Sequence, residues 1–214
     1  MDIIQQVLGD QYAMFYHNGI DSSQLVPYQT LSQYIQSVNQ ALELHGRYLS
    51  TWPTWLRDRM AKLVRAHVIY QRLPIEPIRK PILVHQKDNQ LIVDCGDTRL
   101  MALSQLPNPT LVSVILTCRV DAIHQYQSWT QIHNVQDLSD CTGFNLNSDK
   151  VKTSKAEPNA DYALCWLEFG DYSTIHHLHD PNQRLNMMQQ YLDQQPDNFQ
   201  FDRDWLLKEI NWYK

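Results

Sequence analysis

The segment Asp94-Cys95-Gly96-Asp97-Thr98-Arg99-Leu100-Met101-Ala102 concentrates the residue types that phosphate chemistry needs. A glycine at such a place adopts backbone angles closed to other residues and lets a ligand approach the main chain. The unpaired N–H groups of a following helical turn favour an anion. Thr98 adds a hydroxyl, and Arg99 adds a planar cation that matches phosphate oxygens. The spacing therefore points to a phosphate site at Gly96, Thr98 and Arg99. The plainer alternative is an ordinary strand-to-helix turn capped by Asp97 or Thr98, with Arg99 on the surface. Glu76 and Asp97 are the nearest carboxylates in sequence. Each suits a general base or a ligand of a Mg²⁺ ion bridging phosphates. Against that stand a surface role for Glu76 and a helix cap for Asp97. Arg79 and Lys80 would neutralise further phosphate charge.

Other constellations carry less. Asp171, His176, His177, His179 and Asp180 invite a Zn²⁺ or iron reading, hence a metal-dependent hydrolase, but their spacing fits no established ligand pattern. No metal ligand is assigned. A Gly-x-Ser-x-Gly elbow is absent from the sequence. The six tryptophans read as core or interface residues rather than base-stacking platforms. Lys150, Lys152 and Lys155 read as solubilising charge rather than a polyanion clamp.

The elements that must position these residues follow from periodicity. The first seventy residues are predicted helical. Thr30 and Gln33 have capping-box spacing, and a helical stripe runs from Leu31 to Gly46. A second helix starts near Pro53. Ile82–Val84 and Leu91–Val93 read as strands of a hairpin with Gln86–Gln90 as a five-residue connection. A short helix follows to Pro107, and then a β-branched strand from Leu111 to Thr117. Residues 121–136 fit neither period. The polar stretch 145–161 is predicted to be a mobile loop, and Ala163–Phe169 a strand. A helix opens at Asp180-Pro181 and stops before Pro196, and another starts near Asp202.

Composition bounds the rest. The 214 residues carry a net charge of -5, so no bulk positive field draws the chain onto nucleic acid or anionic lipid. Charge is nonetheless uneven. Arg57 to Lys80 holds seven Lys or Arg against two acids, whereas Asp161 to the end holds nine acids against four. The helix charges in the basic stretch read first as a solvated face. No apolar run approaches the roughly 18 to 20 residues of a membrane helix. Asp2 stands where a signal peptide carries a cation. Four dispersed cysteines read as free thiols of a cytoplasmic protein, with no membrane partner expected.

The stretch Leu73 to Arg119 resembles the core of the ParB/sulfiredoxin-like superfamily. Ile75-Glu76-Pro77-Ile78-Arg79-Lys80-Pro81 matches its "I-x-P-I…RxP" strand entry. The segment from Asp94 to Ala102 matches its "D-G-H-x-R-x-x-A" box. The resemblance implies an α+β fold with a small mixed sheet, a hairpin–helix–strand core and flanking helices. It divides the chain into a helical extension over 1–72, a ParB-like core over 73–144, a loop over 145–161 and a completing strand and helices over 162–214. It implies nucleotide phosphates, of ATP or CTP with Mg²⁺, at Gly96, Thr98 and Arg99. It also implies handling of nucleotide or DNA of the kind found on phages and mobile elements, with NTP hydrolysis, nuclease action or phosphoryl transfer as the chemistry. The sulfiredoxin nucleophile position is Asp97 here, so reductase activity does not carry over. A non-catalytic interaction module on the same scaffold is the alternative. The residues do not decide between an enzyme and such a module, nor the oligomeric state.

Overall fold

The computed structural model describes residues 2–75, 77–146, 151–153, 165–167, 181–202 and 204. In chain order its elements are α1 (Ile3–Leu8), β1 (Tyr12–Asp21), β2 (Leu25–Val26), α2 (Leu31–His45), α3 (Thr54–Arg72), β3 (Ile82–Lys87) and β4 (Gln90–Cys95). There follow α4 (Asp97–Leu103), β5 (Leu111–Arg119), β6 (Thr130–Ile132), α5 (Val135–Thr142), β7 (Val151–Thr153), β8 (Cys165–Leu167) and α6 (Pro181–Asp193). The protein is a mixed α+β fold. It divides into two compact units, one of Met1–Tyr28, Ile78–Asp97 and Asn108–Gly170, the other of Gln29–Pro77, Thr98–Pro107 and Asp171–Lys214.

The first unit holds a six-stranded mixed sheet in the order β2-β4-β3-β5-β1-β6. β3 runs parallel to β5, and β2 parallel to β4, while the other pairs are antiparallel. The expected order of strand, strand, helix, strand is present as β3, β4, α4 and β5. The helical reading of the first seventy residues fails at β1, a ten-residue strand. Ala13, Met14 and Phe15 are buried in succession, so both faces of β1 are covered over that stretch, and the strand lies inside the sheet between β5 and β6. A strand buried in this way shows no alternation for the sequence to reveal. One apolar layer of this unit joins Ile4 and Leu8 of α1, Met14, Leu83, Ile115 and Ile132 of the sheet, and Leu138 of α5.

The hairpin is tighter than its polar sequence suggests. β3 and β4 continue to the Lys87–Gln90 pair, so two residues connect them rather than five. Asp88 and Asn89 both take positive φ, 48° and 61°, as a type I′ turn requires. Within the segment expected as a mobile loop, Val151–Thr153 is a strand pairing antiparallel with Cys165–Leu167, which falls within the strand expected over Ala163–Phe169. Residues 121–136 resolve into a 3-10 helix (Val120–Tyr126), β6 and the start of α5.

Helices build the second unit, and here local signals suffice. The Gln33 side chain accepts from the Thr30 backbone N–H, and Thr30 Oγ1 accepts from the Gln33 N–H, which closes the capping box of α2. α3 follows Pro53, and α6 opens on Pro181 as read from the sequence. Val38, Ala41, Met60, Leu63, Leu192 and Phe201 pack into its core. Arg47 donates to the carbonyls of Leu192, Gln195 and Pro196, tying the segment after α2 to the chain as it leaves α6. The helix expected from Asp202 lies outside the described residues beyond Asp204.

Candidate functional site

Ile82 to His85 of β3 are buried in succession, and His85 is the polar residue among them. Its Cα pairs with Ile92 on β4 and Thr117 on β5. The β3–β4 ladder then slips by one residue. Val84 pairs with Val93 but Leu83 pairs with Cys95, so Asp94 is an extra residue in β4. Such a bulge bends its strand and re-aims side chains. Asp94 lies two residues beyond Ile92, diagonal to His85 on the same face. His85 Nδ1 stands 2.7 Å from Asp94 Oδ1, and the two side chains are only 6% and 7% exposed.

One proton lies between these two atoms. Burial pushes the Asp94 carboxyl up from its ordinary value, and the bond to His85 and the charge on His85 only partly offset this. The neighbouring Asp97 carboxylate pushes it further in the same direction. The second oxygen, Asp94 Oδ2, is buried without a hydrogen-bond partner. A buried carboxyl with one orphan oxygen is suited to hold a proton, or to meet a cation brought by a ligand.

β4 ends at Cys95, and Gly96 turns the chain with φ 132°, a conformation that side-chain-bearing residues rarely adopt. Asp97 is the first residue of α4, and Thr98 and Arg99 lie half-buried in the first turn of that helix. The middle segment of the first unit ends at Asp97, and a segment of the second begins at Thr98. Arg79 is exposed and Lys80 half-buried, both in the irregular segment leading into β3. Glu76 and the His176–Asp180 cluster lie outside the described residues. Among the described residues no three His, Cys, Asp or Glu side chains converge as a metal-binding group. Among them, too, no helix is long and apolar enough to cross a membrane. Cys95, Cys118 and Cys141 are free thiols.

The structure thus brings together His85, Asp94 and Asp97, of which the sequence reading named only Asp97 as a site residue. The missed signal was a histidine closing an apolar strand run, Ile82-Leu83-Val84-His85, opposite one that closes on aspartate, Leu91-Ile92-Val93-Asp94. Ending both strands one residue early hid the pair.

The raised Asp94 carboxyl has a consequence for stability. A carboxyl whose folded value lies above its unfolded one favours folding while protonated, and that contribution is lost as pH rises through the folded value. Asp94→Asn removes this loss. Its stability relative to wild type is therefore expected to improve as pH rises from the ordinary carboxylate value of 3.8 through the raised one. Urea unfolding across that range checks this, and a pH-independent difference would contradict it.

Comparison with models of known families, with curated proteins and with solved structures gives no match to this chain.

Proposed function

We propose that this chain binds a phosphate group of a nucleotide or nucleic-acid strand at Gly96-Asp97-Thr98-Arg99, on a core of the ParB/sulfiredoxin-like kind. The observation that carries the reading is Gly96, at φ 132°, two residues beyond Asp94 of the buried His85–Asp94 pair in the same unit. Gly96 opens the main chain to the ligand, the Thr98 hydroxyl donates to a phosphate oxygen, and the Arg99 guanidinium neutralises its charge. Asp94 and Asp97 would repel a bare phosphate. Burial, which favours the protonated form of the Asp94 carboxyl, lowers that repulsion. Mg²⁺ accompanying the nucleotide fits the same place, because a hard cation takes one or two carboxylate oxygens, and Asp94 Oδ2 is an orphan acceptor there. When bound, the ion would screen phosphate charge against these two residues.

In hydrolysis or phosphoryl transfer, His85 would take or return the proton, with Asp94 fixing its tautomer. A second reading, binding without turnover, draws on the burial of that pair, which keeps the imidazole from a solvent-borne nucleophile. Calorimetric titration with CTP and ATP in the presence of Mg²⁺ tests the site. Arg99→Ala is expected to weaken binding by about 10- to 100-fold, the worth of a hydrogen bond to a charged group. Equal affinities for wild type and variant, or no binding by wild type, would reject the proposal. Phosphate release by wild type separates the enzymatic reading from the binding one.

A further inference from the structure

We propose that the second unit carries a docking surface for single-stranded nucleic acid, built from Trp55, Arg59 and Lys62 of α3 with Tyr34 of α2 beneath them. Trp55, Arg59 and Lys62 follow one another at four- and three-residue spacing, which places them on one face of α3. The Arg59 guanidinium carbon lies 5.0 Å from the Trp55 ring centroid and 5.9 Å from that of Tyr34. Lys62 Nζ lies 5.4 Å from the Tyr34 centroid and donates to the Tyr34 hydroxyl at 3.0 Å. The result is a ladder of two cations and two rings.

Two features set this ladder apart from a structural staple. Trp52 is buried in the core of the unit, whereas Trp55 is 56% exposed and takes no part in that core. Among the described residues Arg59 is held by two ring faces and the Ser37 hydroxyl, with no carboxylate. A guanidinium is charged at every physiological pH, so its field here has no bonded counter-ion. α3 as a whole carries Arg57, Arg59, Lys62, Arg65 and Arg72 against Asp58 alone, and α2 adds only Glu43. The excess is positive on a chain of net charge -5.

Cations beside an exposed indole match a ligand that is at once a polyanion and a series of planar rings. Single strands bind in this way, with phosphates neutralised by Lys and Arg and bases stacked on aromatic side chains. An acidic polypeptide would use the cations and leave Trp55 unused. The proposal does not depend on the reading of the Gly96 turn.

Fluorescence anisotropy of a labelled oligothymidylate at low salt tests it, with an abasic phosphodiester of equal length and an acidic polypeptide as competitors. Trp55→Ala is expected to weaken oligothymidylate binding by about 5- to 100-fold, the effect of one lost base stack. Trp55→Phe should retain most of the affinity. Arg59→Gln should weaken binding and flatten its salt dependence. Leu111→Ala, at an exposed β5 position outside both proposed sites, should match wild type. The calorimetric titration with CTP and ATP reads the Gly96 turn separately, so failure there stays distinguishable from failure here. The proposal is overturned if wild type does not bind, if the abasic strand or acidic polypeptide competes as well as oligothymidylate, or if Trp55→Ala binds like wild type. Thermal unfolding followed by circular dichroism verifies that each variant is folded.

Discussion

His85→Leu is expected to destabilise the protein by about 3 kcal/mol at neutral pH, because it leaves the Asp94 carboxylate buried and unpaired. The deficit should shrink as pH falls. Without His85 the Asp94 carboxyl rises still further, so protonation relieves the cost at low pH and ionisation restores it as pH rises through the new value. Asp94→Val should also destabilise, through the loss of the bond that satisfies His85 Nδ1. The double variant is the informative one. Replacing both members of a buried pair with apolar residues is often near neutral, since no charge is left to solvate. A coupling of about 2 kcal/mol or more between the two sites is therefore expected from denaturant unfolding of the four proteins. Additive losses would show that His85 and Asp94 do not act as a pair. A double variant that stays folded also provides a functional test. If it retains nucleotide binding but loses phosphate release, the pair handles the proton of the reaction.

The second large effect lies in the sheet. Ile115 sits in the middle of β5, between Tyr16 of β1 and Leu83 of β3, and is 1% exposed within the apolar layer under α1 and α5. Ile115→Ala removes packed methylenes that the flanking strands cannot close over, at a cost of about 3 to 4 kcal/mol. Leu111 begins the same strand but is 70% exposed. Leu111→Ala should change stability by no more than about 0.5 kcal/mol. The contrast between two β5 truncations, read from urea midpoints, isolates burial from strand propensity. Similar losses at both positions would mean that β5 is stabilised by something other than the layer around Ile115.

What could be read from the sequence divides along a physical line. α2 was legible from Thr30, Gln33 and Gly46, and α6 from Pro181, because caps and breakers act within a few residues and need no tertiary partner. The hairpin was legible as a hairpin, since its apolar runs are local, but its turn was not. Gln86, Lys87 and Gln90 look like loop residues until their pairing across Asp88-Asn89 is known.

By itself, then, the sequence determined the capped helices, the strand–strand–helix–strand order and the glycine that turns the chain after β4. The tertiary structure alone decided that Tyr12–Asp21 is an inner strand, that Asp94 is a bulge residue facing His85, and that Arg59 lies between Trp55 and Tyr34. Each of these depends on what a distant segment places alongside. Burial on both faces removes the periodicity of β1, a one-residue slip in pairing re-aims Asp94, and the α2–α3 packing brings Tyr34 beneath the cations of α3.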